Sequence, residues 1–168
     1  CGGQPPAPRR GSRGGVVAQW HRSKASRTPW ATGLRCLGDV ASQVLDVIAE
    51  RDAGAASLLR AYGGGARPWS DTELLVTTPG CQLGRHTDAQ PDGALLVIFC
   101  VGLSCVSRAW PGGRLVERVL RSGDAMVIDG RRTPHAIPSV LEATSPFPEC
   151  PWLGCRRLAV LVRQSPAQ

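Results

Sequence analysis

The sequence lacks any hydrophobic run of the ~18–20 residues that a membrane-spanning helix requires. Its longest apolar run, residues 94–106, is broken by Gly102 and Ser104 and reads as buried strands. No membrane partner is expected. Heptad and collagen-type repeats are also missing. Aromatic residues make up only 5%, and the chain holds only three histidines. Among seven cysteines, at positions 1, 36, 81, 100, 105, 150 and 155, no CxxC occurs. Neither a zinc ribbon nor a thioredoxin-type motif is therefore written here. Cys150 and Cys155 form a C-x4-C with no second pair to complete it. Irregularly spaced cysteines in odd number read as reduced thiols of an intracellular protein. Acidic residues are absent from residues 1–36, which carry seven of the 20 basic residues, while all 13 acids lie further on. The net charge of +7 thus belongs to the N-terminal segment.

That segment is rich in Gly, Pro, Arg and Ser, and residues 1–33 read as a disordered basic arm or linker. Such an arm can bind nucleic-acid phosphates, and it also has the composition of an organelle transit peptide. The compartment, whether nucleus, cytoplasm or organelle, stays open.

With 42% apolar residues, the remainder has enough material for a packed core. Leu37, Val40, Val44, Val47 and Ile48 recur at helical spacing, and Leu58, Leu59 and Tyr62 mark a second short helix. From residue 72 the texture changes to short apolar runs separated by Gly, Pro and Asp turns. These predict strands at 72–77, 94–101, 103–109, 114–120, 124–129, 134–137 and 157–163. The expected fold is α+β and mainly β: a double-stranded β-helix, or jelly roll, over residues 34–168, backed by one or two N-terminal helices. A monomer is expected.

His21 lies in the basic arm, whereas His86 follows the predicted strand 72–77 and His135 lies at the start of the predicted strand 134–137. In Gly84-Arg85-His86-Thr87-Asp88, the His and Asp share a face if the chain is extended. Together with the distant His135 they can form a facial triad of two histidines and one carboxylate. Such a triad holds Fe(II) and leaves coordination positions open. The C-terminal run Arg157-Leu158-Ala159-Val160-Leu161-Val162-Arg163 is an apolar strand bracketed by arginines on one face. A buried Arg requires an anionic partner, and a planar guanidinium suits a carboxylate.

These segments resemble those of AlkB-type dioxygenases. Residues 74–88 are similar to that family's strand, Pro-Gly turn and His-x-Asp, and residues 101–104 to its Leu-Gly-x-Ser strand. Residues 120–138 resemble the segment of the second histidine, and residues 157–164 the closing Arg-x5-Arg strand. The resemblance implies a dioxygenase that uses Fe(II), with 2-oxoglutarate as cosubstrate. His86, Asp88 and His135 would be the metal and catalytic residues, and Arg157 and Arg163 the cosubstrate site. The implied reaction is oxidative demethylation of alkylated nucleobases in DNA or RNA, with nucleic acid as partner. Trp69 is the candidate for stacking on a base.

The pattern departs from the family where it usually places an Asn, a Tyr and a second Asn against the cosubstrate. Here those positions are Leu75, Thr77 and Ala159. Alternatives are a TET/JBP-like or prolyl-hydroxylase-like oxygenase of the same superfamily, or a catalytically degenerate jelly-roll binding module. Prolyl hydroxylases carry a basic residue about ten positions past the second His, and residues 141–145 contain none.

Overall fold

The computed structural model describes residues 16–22, 31–62, 69–88 and 95–164. Strand β1 (Val16–Arg22) is followed by helices α1 (Ala31–Arg51) and α2 (Ala53–Ala61). The remaining strands are β2 (Trp69–Thr77), β3 (Leu83–His86), β4 (Leu95–Gly102), β5 (Cys105–Ala109), β6 (Val116–Leu120), β7 (Ala125–Asp129), β8 (His135–Val140) and β9 (Arg157–Gln164). They form a five-stranded sheet of order β1-β2-β9-β4-β7 and a four-stranded sheet of order β3-β8-β5-β6. Every pairing is antiparallel. This is the expected jelly roll with helices on one side.

Strand β4 shows why its sequence is continuously apolar rather than alternating. Val97 packs with Ala41, Val160 and Val162 beneath α1, while Leu96 and Ile98 pack with Leu75 and Ala159 on the opposite face. A strand covered on both faces has no side that favours polar residues. Burying one such aliphatic side chain is worth ~1.5–3 kcal/mol. The helix touches the sheet closely at Gly38, where a Cβ would stand 2.8 Å from Trp69 Cδ1.

Three details differ from the sequence reading. The helical face that packs is Leu37, Ala41, Val44 and Leu45, whereas Val40 and Val47 remain exposed. Ala41 is fully buried there. Strand β3 was not expected, since Leu83-Gly84-Arg85-His86 offers a single large apolar residue; it forms by pairing with β8. Residues 16–22 are the third case, because they pair along the edge of β2 rather than forming part of a disordered arm. Val16, Val17, Ala18 and Trp20 favour strand, a local signal that the surrounding Gly, Pro and Arg content hides. The rest of the arm, residues 1–15 and 23–30, lies outside the described residues. No described helix is long and apolar enough to cross a membrane.

Candidate metal and anion site

His86 is the last residue of β3 and His135 the first of β8, and the two stand opposite each other in the ladder. Their ring centroids are 4.3 Å apart. Each ring is tied to a backbone carbonyl two residues earlier. Nδ1 of His86 lies 2.8 Å from the Gly84 oxygen, and Nδ1 of His135 3.1 Å from the Thr133 oxygen. A carbonyl only accepts, so each Nδ1 is the protonated nitrogen and each Nε2 carries the free lone pair. Burial holds the His135 imidazole below the ordinary value of 6.5, although its bond to the Thr133 carbonyl pulls the other way. The neutral, ligand-competent form is thereby favoured.

Asp88 completes the group. Its Oδ1 lies 3.8 Å from His86 Nε2 and 3.9 Å from His135 Nε2. These gaps are too long for hydrogen bonds. One ligand atom from each of the three residues lies within 4.8 Å of the others. The carboxylate is seated on the turn after β7. The Asp88 amide donates to the Gly130 carbonyl at 2.8 Å, and a Cβ at residue 130 would come within 2.7 Å of Asp88 Oδ2. Gly130 therefore makes room for the carboxylate. The turn is itself fixed by Asp129, which accepts from the Tyr62 hydroxyl and from the amides of Arg131 and Arg132.

Both strand arginines face inward. Arg163 donates from Nη2 to Glu73 Oε2 at 2.9 Å, and the same nitrogen is 3.6 Å from Asp88 Oδ2. Arg157 is 2% exposed, while Arg156 lies over the Trp152 ring toward the surface. Adjacent residues on a strand must diverge in this way. Arg157 Nη2 donates to Cys100 Sγ at 3.4 Å, and its Nε is buried without a hydrogen-bond partner. Cys105 sits against Cys100, and its hydrogen bond is the main reason the Cys100 thiol is brought down to about 6, with Arg157 adding to the effect. Cys105 is pushed up in return, first by that hydrogen bond and then by burial. Leu75 and Ala159 pack into the inner apolar cluster, and Thr77 is buried with its Oγ1 3.5 Å from the Arg157 carbonyl.

Trp69 does not join the site. Its indole Nε1 donates to Ser42 Oγ at 2.9 Å, and its ring packs beneath α1 in the cluster with Val97 and Val162. The expected base-stacking role is corrected accordingly: an amphipathic ring beside a helix found a serine and an apolar face there. Trp110 is the aromatic beside the histidine end. It lies beneath the Arg85 guanidinium at 4.5 Å, and its amide bonds to the Pro134 carbonyl.

The sequence reading also missed Glu73, Gly130 and Cys100. For Glu73 a signal existed, since an acid inside a predicted buried strand demands a cation. Gly130 and Cys100 acquire their meaning only from contacts across the fold.

Fold and geometry together define a helix-backed jelly roll with a two-histidine, one-carboxylate group between its sheets. The same fold is found in the solved structure of OsALKBH1, with a TM-score of 0.54 and 20% identity over 75% of this chain and 65% of that one. The chain thus spans just under two thirds of that structure's length. Recombinant oxalate oxidase in complex with glycolate is a looser match, with a TM-score of 0.42 and 16% identity over 56% of this chain and 41% of that one. A cupin domain from Bordetella pertussis matches at a TM-score of 0.34 and 14% identity, over 56% and 80%. Neither of these two bears on the reading. No protein-family model and no curated protein matches the sequence.

Proposed function

We propose that this chain is an AlkB-type dioxygenase that uses Fe(II) and 2-oxoglutarate to demethylate alkylated nucleobases. The observation that carries this reading is the convergence of His86, Asp88 and His135, with buried Arg163 3.6 Å from Asp88 and buried Arg157 further along the same face of β9. Two imidazoles and one carboxylate are a donor set suited to non-haem iron. The partnerless buried Nε of Arg157 suits an incoming carboxylate. Iron with 2-oxoglutarate supplies oxidation of a substrate C–H bond by dioxygen, the cosubstrate losing CO2 to give succinate.

The chain's own residues hold and orient. The carbonyls of Gly84 and Thr133 aim the two Nε2 atoms, and Gly130 seats the Asp88 carboxylate. Arg157 binds the distal carboxylate of the cosubstrate, with Arg163 nearer the metal ligands. Before the cosubstrate arrives, Cys100 is the acceptor that Arg157 uses. A carboxylate held there would replace the sulfur as the acceptor of Arg157 Nη2. A nucleobase substrate is supported by the motif resemblance and by the basic N-terminal segment.

The Arg157–Cys100 contact, together with apolar Leu75 and Ala159, also favours a second reading, a jelly-roll binding module without turnover. Anaerobic titration with Fe(II) and 2-oxoglutarate, followed by succinate release on adding oxygen and methylated oligonucleotides, separates the two. Stoichiometric metal and cosubstrate binding with oligonucleotide-stimulated succinate supports the enzyme. Metal binding without any succinate supports the module.

A further inference from the structure

Glu73 is a buried acid that the proposed metal centre does not use. It lies on β2, 5% exposed, and its Oε2 accepts from Arg163 Nη2 at 2.9 Å. The same guanidinium nitrogen stands 3.6 Å from Asp88 Oδ2, beyond hydrogen-bond reach. Asp88 meanwhile turns its other oxygen, Oδ1, toward both histidines. One cation therefore lies between two carboxylates and bonds the one that is not a metal ligand. A carboxylate fully engaged by a guanidinium gives less of its charge to a metal ion.

From this arrangement we infer that Glu73 is a positioning residue that holds Arg163 off Asp88 and so reserves the Asp88 carboxylate for the metal. The inference rests on the reading of His86, Asp88 and His135 as a metal centre. Glu73 falls outside the ligand group itself, so its effect must run through Arg163. Without its charge, the pull that draws Arg163 Nη2 to Glu73 weakens, and the same nitrogen, 3.6 Å from Asp88 Oδ2, competes with the metal for that carboxylate. Partners of metal ligands commonly change affinity by about 10–100-fold.

The test is a Co(II) titration of the full chain, read by the visible absorption of the bound ion. It compares the native protein, His86→Ala, Glu73→Gln, Arg163→Met and the double variant Glu73→Gln/Arg163→Met. Glu73→Gln is expected to weaken Co(II) binding about tenfold or more, and the same substitution made on Arg163→Met is expected to change it little. That dependence on Arg163 is what a purely structural or long-range charge effect would not produce. Native affinity in Glu73→Gln, or an equal loss in both backgrounds, overturns the inference while leaving the metal centre standing. A native protein that binds no Co(II), or a His86→Ala variant that binds it equally well, overturns the metal reading and the inference with it. Should Glu73→Gln fail to fold, Glu73→Asp, which keeps the charge but draws it back from Arg163, takes its place. About tenfold weaker Co(II) binding that vanishes on adding Arg163→Met supports the inference, and native affinity overturns it.

Discussion

At the two histidines and Asp88 each side chain is aimed by a backbone or turn contact, whereas at Arg157 the contacting group is a sulfur. Gly84, Thr133 and Gly130 place His86, His135 and Asp88 without lending them charge. Around Arg157 the chain supplies Cys100 and Cys105 together with the apolar Leu75 and Ala159. A thiol is a weak acceptor, so a buried guanidinium held mainly by sulfur is poorly compensated. One end is organised by backbone geometry, and the other holds a buried guanidinium whose Nε has no hydrogen-bond partner.

The largest effect expected from breaking this contrast is at Asp88. Asp88→Ala should abolish both metal binding and succinate formation, because it removes the sole carboxylate of the ligand group. The Asp88 side chain is not fully buried, so the fold should survive. Calorimetric metal titration with a thermal melt on the same sample checks both statements, and retained turnover would refute the ligand assignment.

Next in size is the anion end. Arg157→Met should weaken 2-oxoglutarate binding by about 10–100-fold, from the ~1.5–3 kcal/mol of a charge-assisted hydrogen bond, while leaving metal binding close to native. Arg156→Ala, at the surface beside Trp152, should leave both unchanged. The reverse ranking in a cosubstrate titration would mean that the anion lies elsewhere.

Much of this layout was legible in the sequence. Seven strands, the helical backing and the three residues of the candidate metal group follow from period, turn residues and a His-x-Asp followed by a distant His. Boundaries that depended on pairing were not legible. β3 has almost no apolar signal of its own, and it exists because β8 lies beside it. Strand β8 runs on through Pro138 to Val140, where sequence rules stop it at 137, because Pro138 falls in an irregular stretch of its ladder with β5. Trp69 was misassigned because a tryptophan near a Gly-rich stretch looks the same whether it meets a base or a serine. Ser42, 27 positions away, decides the matter.

A smaller effect, which sharpens the contrast, concerns pH. Cys100 is brought down to about 6, so at neutral pH its thiolate competes with a carboxylate for Arg157. Cosubstrate affinity should therefore fall as pH rises through about 6. In Cys100→Ser this dependence should flatten. The stability linkage has a definite sign. From about 6 up to the ordinary thiol value of 9.0 the unfolded chain holds more protons on the Cys100–Cys105 pair than the folded one, so the pair adds stability as pH rises. Above 9.0 the unfolded pair loses its second proton while Cys105 keeps its own, and the contribution declines. Denaturant midpoints of native protein and Cys100→Ser across this range measure it. A native curve parallel to that of Cys100→Ser would refute the thiolate.

The smallest effect separates the sheet face that carries Arg157 and Arg163 from the face beneath α1. Trp69→Phe keeps most of the ring's contact with Val97 and Val162 but removes the hydrogen bond to Ser42. The lost bond should cost ~0.5–1.5 kcal/mol of stability, and Ser42 still bonds the Gly38 carbonyl at 3.0 Å, so it is not left unsatisfied. Metal affinity, cosubstrate affinity and the KM for any oligonucleotide should stay at their native values, since Trp69 packs with the α1-facing side of the sheet while Arg157 and Arg163 project from the other. Chemical denaturation and steady-state kinetics on the same preparation give both readouts. A rise in oligonucleotide KM with unchanged stability would restore Trp69 to the substrate site and overturn its assignment to the packing beneath α1.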